Sequence, residues 1–165
     1  MTKKKILIGF LIPLSLAIFG CNRDQTSKKP VVEKKMACYK SISGNDTAWL
    51  SIDTARTEIT GTLKVNYATK MEIFHGKFNG KMYGDTLKGY FDFKINKGKE
   101  PFRNPLAFLK RDNKLTMGVG QFMMVMGTAH FDDKVPIDYG AARFVFEAGE
   151  CESTEPIGTG EKVGQ

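Results

Sequence analysis

Two histidines, three cysteines and a cluster of methionines in the C-terminal half are the residues of this chain whose types can do chemistry. His75 and His130 are possible general bases, but neither lies in a motif that supplies a Ser or Cys nucleophile together with an acidic orienter. Catalysis is therefore not expected, and His75, which follows Ile73 and Phe74 in a strand-like stretch, reads as a surface or rim residue. Asp85 beside Thr86 reads as turn chemistry, with the carboxylate bonding nearby backbone. Asp132 and Asp133, adjacent in a polar loop, lack the further oxygen ligands that calcium takes. Met117, Met123, Met124 and Met126, followed by His130, offer thioethers and an imidazole, the soft ligands that hold Cu(I). Met124, Met126 and His130 are the candidate ligands of such a site. On one continuous strand Met124 and Met126 share one face and Met117 and Met123 the other, so only part of the set converges. The simpler expectation is that these methionines fill irregular space in a core, with no metal and no other cofactor.

The cysteines call for different chemistry, because three cannot all pair within one chain. Upstream of Cys21, Lys3, Lys4 and Lys5 precede an apolar run from Ile6 to Phe19, the n-region and h-region of a secretory signal. At about 14 residues the run falls short of the roughly 20 that a spanning helix needs, and Pro13 weakens such a helix further. Ile18, Phe19, Gly20 and Cys21 resemble a lipobox, with bulky Phe19 as its one departure. The resemblance implies cleavage before Cys21 and a lipid on its sulfur, so that the membrane is the first partner. An ordinary signal followed by an unmodified cysteine is the alternative. With Cys21 so used, Cys38 and Cys151 remain as a pair at the two edges of the patterned region. In an oxidising envelope they can tie the first strand to the last, and closing a loop of this length stabilises by about 4–5 kcal/mol in the chain-entropy model. Asn22 follows the cysteine where enteric inner-membrane lipoproteins carry Asp, and that analogy favours the outer membrane.

Removing the leader also removes three lysines, which leaves 22 Lys+Arg against 18 Asp+Glu and a net charge of +4 instead of +7. No basic stripe remains in the domain, and nucleic acid is excluded as a partner. Five of those cations, Arg23, Lys28, Lys29, Lys34 and Lys35, lie between residues 22 and 37, a segment that reads as a polar tether with a weak attraction to anionic head groups. The chain therefore divides into a signal peptide (1–20), the lipidated cysteine and its flexible tether (21–37), a β domain (38–151) and a disordered tail (152–165).

The domain has about 114 residues, enough for one modest core. Its dominant pattern is alternation of period two between Gly, Asn and Asp punctuation, with no apolar stripe at helical spacing. Candidate strands are 38–42, 47–53, 58–67, 71–78, 86–95, 105–110, 114–125 and 142–146. Ser43-Gly44-Asn45-Asp46 and Tyr83-Gly84-Asp85 supply the positive-φ and Asx-type residues of tight hairpins. Trp49, Ile59, Leu63, Val65, Tyr67, Phe91 and Phe93 recur at alternate positions and are assigned to one inner face. Gly61, Gly76, Gly80, Gly89, Gly118 and Gly120 interrupt the strands, which favours a strongly coiled sheet, and closure removes its exposed edges. The expected fold is all-β: a small antiparallel meander barrel of about eight strands, lipocalin-like and closed by the disulfide. Its interior should be filled by Trp49, Phe91, Phe93, Phe108 and Phe144 rather than hollow.

Several motifs in order, Ala37-Cys38-Tyr39, Gly44-Asn45-Asp46-Thr47, Thr60-Gly61-Thr62-Leu63, the run from Gly80 to Leu87 that ends in Gly84-Asp85-Thr86-Leu87, and Ala107-Phe108-Leu109-Lys110, resemble a group of small lipoproteins of Gram-negative envelopes. The resemblance covers most of the domain; the chain departs from the pattern near Met71 to His75 and in the Met-rich stretch after Gly120. It implies the lipidated leader and the terminal cysteine, and it carries no activity. Two classes of function remain. One is a binding module for a small apolar ligand or a protein partner. The other is a structural or inhibitory envelope component, similar in outline to the small disulfide-closed barrels that block lysozyme. The inhibitory Trp-x-Lys-Gly pattern is absent, since the sole tryptophan, Trp49, is followed by Leu50 and Ser51.

Overall fold

A computed structural model describes residues 32–151. The signal peptide, Cys21, most of the tether and the tail from residue 152 lie outside the described residues.

Among the described residues ten strands follow one another: β1 Met36–Ser43, β2 Asp46–Asp53, β3 Glu58–Tyr67, β4 Glu72–Tyr83, β5 Thr86–Ile95, β6 Phe102–Arg111, β7 Lys114–Met117, β8 Phe122–Val125, β9 Thr128–Phe131 and β10 Val145–Gly149. Eight of them close an antiparallel barrel in the order β1-β10-β7-β6-β5-β4-β3-β2, while β8 and β9 form a separate hairpin. The expected all-β meander is therefore the fold. No helix among the described residues is long and apolar enough to cross a membrane. The β1–β2, β4–β5 and β6–β7 hairpins turn through two residues each, Gly44-Asn45, Gly84-Asp85 and Asp112-Asn113. Gly44, Gly84, Asp112 and Asn113 have positive φ, the conformation these residue types accept most readily.

Alternation along each strand fills the interior with Leu50, Ile52, Leu63, Leu87, Leu115 and the rings of Phe78, Phe91, Phe93, Phe108, Phe144 and Phe146. Phe91 stacks on Phe93 at 4.8 Å, and Phe108 meets Phe78 and Phe146 edge-on at 5.6 and 5.7 Å. These rings occupy the space in which a barrel of this size would hold a ligand.

Three expectations need correction. Trp49 is not in the core: Ala48, Leu50 and Ile52 are buried, and the parity of β2 then turns Thr47, Trp49 and Ser51 outward. The stretch 114–125 is not one strand, because β7 leaves the barrel wall at Gly118 and the chain returns only at β10. Met123, Met124 and Met126 consequently do not fill core space but are exposed, whereas Met117 packs against the core from β7. The early end of β7 also explains Pro105 in the middle of β6. Ala107 bonds toward the β7 side through Gly118, and Pro105, two residues away, turns its missing N–H to the same side, where no strand pairs.

At the end of the barrel bearing the β1–β2 turn, Asp46 is buried, its side chain 3% exposed. Its carboxylate accepts the Ala68 N–H at 2.9 Å and pairs with Arg143, whose guanidinium also lies 5.2 Å from the Tyr67 ring. One carboxylate thus ties the first hairpin, the 3₁₀ turn Ala68–Lys70 and the approach to β10. Asp46→Asn keeps an acceptor for Ala68 but removes the charge opposite Arg143. It is expected to lower stability by about 1–2 kcal/mol, read as a lower urea midpoint at unchanged slope.

On β1, Ser41 faces inward beside Ala48, and its buried hydroxyl has no hydrogen-bond partner among the described residues. Ser41→Ala removes an unpaired polar atom at almost no cost in volume, so stability should rise by about 1 kcal/mol. A fall in thermal midpoint would count against that account.

Candidate functional site

The outer surface of β1 to β5 carries what the interior lacks. Lys40 on β1 pairs with Trp49 on β2, Trp49 with Lys64 on β3, Lys64 with His75 on β4, and His75 with Lys94 on β5. Directly paired residues point to the same face, so these five side chains form a single row across five strands. A parallel row, displaced along the strands by two residues, runs Cys38, Ser51, Thr62, Lys77, Asp92 and Arg103. Between them opens a groove of about 750 Å³ whose walls include Lys40, Trp49, Lys64, His75, Lys77 and Ser51. Gly149, paired with Cys38 and lacking a side chain, leaves its β10 flank low.

Of the acids at this face, Asp92 and Glu147 are engaged by cations, whereas Glu150, which lines the groove beside Gly149, makes no ion pair among the described residues. Asp92 accepts two bonds from Arg103, at 2.5 and 2.8 Å, and that guanidinium holds its carboxyl below the usual range. Glu147, paired with Lys40 across the barrel seam, is instead held by Lys114 at 2.7 Å, which likewise lowers its pKa. Among the described residues, Lys40, Lys64, Lys77 and Lys94 make no ion pair. The ammonium groups of Lys64 and Lys40 lie 5.4 and 6.0 Å from the Trp49 ring, within cation–π range. His75 Nε2 donates to the Asn96 carbonyl at 2.9 Å, which steadies the imidazole at the rim. An indole in a groove lined by three unpaired lysines, Lys40, Lys64 and Lys77, one carboxylate, Glu150, and two hydroxyls can bind a ligand that offers an apolar flat face and negative charge.

The sequence-level candidates are distributed differently. Cys38 and Cys151 form the expected disulfide, with Cα atoms 5.1 Å apart, and the Ser51 hydroxyl lies 3.3 Å from the Cys38 sulfur. Cys21 lies outside the described residues. His75 is on the surface, as expected, but belongs to a row with Lys40, Lys64 and Lys94 that corrects the expectation of a domain without a basic stripe, since these lysines are scattered in the chain and meet only through strand pairing. Met124, Met126 and His130 do not converge. His130 pairs with Met123 across the β8–β9 hairpin, Met124 pairs with Ala129 and so points to the opposite face, and Met126 sits in the turn. His130 Nδ1 is also engaged by the Tyr90 hydroxyl at 2.6 Å. No cluster of three His, Cys, Asp or Glu side chains able to hold a metal occurs among the described residues.

Sequence alternation alone assigns Trp49 to the core and so hides its row. The one available signal was local: a two-residue turn at Gly44-Asn45 places Lys40 opposite Trp49. No family model, curated protein or solved structure matches this chain.

Proposed function

We propose that this protein is a non-catalytic envelope lipoprotein, akin to the small lipoproteins its motifs resemble. Lipid on Cys21 holds it to the outer membrane, and the outer groove around Trp49 binds an acidic saccharide. The observation that carries the binding assignment is the outward Trp49 flanked by Lys40 and Lys64 in a groove whose lining sets three lysines, with Lys77, against one carboxylate, Glu150, while Asp92 and Glu147 nearby are paired elsewhere. The apolar C–H face of a sugar ring can pack on the indole while its carboxylates meet the ammonium groups, and the Ser51 and Thr62 hydroxyls supply neutral hydrogen bonds. The packed interior favours a surface site over an enclosed apolar one. The leader, with its Gly20-Cys21 junction, supports the anchor.

Calorimetric titration with an oligogalacturonate, with a neutral malto-oligosaccharide as control, tests the site. Binding is expected for the acidic oligomer only, weakened about tenfold by Trp49→Ala and made less salt-sensitive by Lys40→Ala with Lys64→Ala. Equal behaviour of the two sugars, or an unaffected Trp49→Ala variant, would remove the assignment. Intact mass of membrane-extracted protein tests the anchor separately: a chain beginning at an acylated Cys21 is expected, and an unmodified cysteine would refute it.

A further inference from the structure

The β8–β9 hairpin exposes Phe122, Met123, Met124, Val125 and Met126 in one unbroken run, with Met124 69% and Met126 fully exposed. A run of five exposed apolar residues without a charge is what the surfaces of soluble domains avoid, above all on a strand edge. The turn at its tip adds a second, independent observation. The two-residue turns between barrel strands use Gly, Asn and Asp throughout, whereas this one places Met126 at φ 48 before Gly127 at φ 79. Left-handed backbone is disfavoured for a long apolar side chain, so a bulky thioether is kept at the apex against local preference.

The base of the hairpin is fixed. Tyr90 bonds His130, the Asp132 N–H bonds the Gln121 carbonyl at 2.8 Å, and Phe131 lies so close to Gly120 that a Cβ there would meet its ring at 2.5 Å. The hairpin is therefore anchored through its half-buried β9 strand on the outer wall at β5 and β6, while β8 and the apolar tip stay exposed and formed in advance.

From this geometry we propose that the hairpin inserts into the interfacial region of a phospholipid bilayer. Both faces of β8 are exposed, with Phe122 and Met124 on one and Met123 and Val125 on the other. A protein partner docks on one face, whereas a bilayer surrounds an inserted tip on every side. Reach permits it: the fifteen residues from Cys21 to Met36, where β1 begins, span at most about 50 Å when extended. The bilayer's proximity rests on the anchor reading above, but the hairpin's affinity for lipid does not.

The test uses residues 21–165 with Cys21→Ser, so that no acyl chain contributes, and vesicles of phosphatidylethanolamine with phosphatidylglycerol or of phosphatidylcholine alone. Co-sedimentation with both is expected, persisting at roughly 0.5 M NaCl, and falling at least about tenfold when Met124→Asp and Met126→Asp are combined at these exposed positions. In a Trp49→Phe background, Met126→Trp should shift its emission to the blue on vesicle addition. Three results would overturn the proposal: no binding to either vesicle, binding abolished by salt but untouched by the aspartates, or a dimer dissolved by the aspartates without any vesicle association. Because the chain is unlipidated, a failed anchor assignment changes none of these readouts.

Discussion

A chain carrying Cys38→Ala and Cys151→Ala is expected to lose about 4–5 kcal/mol of stability, a fall of about 15–20 °C in thermal midpoint for a domain of this size. The loop closed by the bridge spans 113 residues, nearly the whole described domain, so breaking it releases almost all of the unfolded chain's constraint. The place where the bridge acts matters as much as the loop length. β10 is joined to β1 through only three residue pairs, Cys38–Gly149, Tyr39–Ala148 and Lys40–Glu147, and to β7 through three more. By contrast, β3 and β4 pair over ten residues. The seam is the weakest stretch of the barrel wall, and the disulfide sits at its end. Urea titration of oxidised, reduced and doubly substituted protein would measure the effect. If all three had the same midpoint, the seam would be held by its ladder and by Phe146 alone, and the bridge would have no structural role.

How much of this could be read from the chain depends on how local the physics is. The turns at Gly44-Asn45 and Gly84-Asp85 were legible because a two-residue turn states its chemistry in two adjacent residues, and the disulfide followed once the lipobox resemblance had set Cys21 apart from the other two cysteines. The parity of β2 was not, because a tryptophan invites assignment to the core, whereas Leu50 and Ile52 outvote it once the strand has only two faces. Gly118 and Gly120 looked like points of curvature within one strand. Their actual surroundings, Ile137 and Tyr139 over Gly118 and Phe131 over Gly120, come from residues up to about twenty positions away and leave no local trace. The basic row suffers from the same limitation. Lys64, His75 and Lys94 join the row of Trp49 only through the registers of three successive hairpins, and the β2–β3 and β3–β4 connections are too irregular for their registers to be counted from the sequence. The methionine run was visible, but its exposure was not, because exposure followed from β7 leaving the wall.

The strand glycines yield the other large expected effect, and here sequence and structure agree on cause. Gly61, Gly76 and Gly89 all pair with inward-facing residues, Ile52 and Phe78, Leu63 and Phe93, and Leu106, so any side chain added there would point into the barrel. A Cβ on Gly76 would stand 2.0 Å from the Asp92 carbonyl oxygen and 2.6 Å from the Phe93 Cα; on Gly89 it would stand 2.1 Å from the Asn79 oxygen, and on Gly61 2.1 Å from that of Ser51. These obstacles are backbone atoms of the neighbouring strand, which cannot rotate away as a side-chain tip can. Relief requires the strands to part, breaking ladder bonds where the sheet coils most tightly. Gly76→Ala is accordingly expected to cost about 3 kcal/mol or more, at the upper end of overpacking effects. Gly84→Ala is the matched control. Its φ of 59° disfavours a side chain, but a Cβ would meet nothing within 4 Å, so the cost should be only about 1 kcal/mol. Urea midpoints of the two variants separate close approach from backbone conformation. Equal losses would mean that the β4–β5 contact can open freely, and the barrel's tight coil would then need a cause other than these glycines.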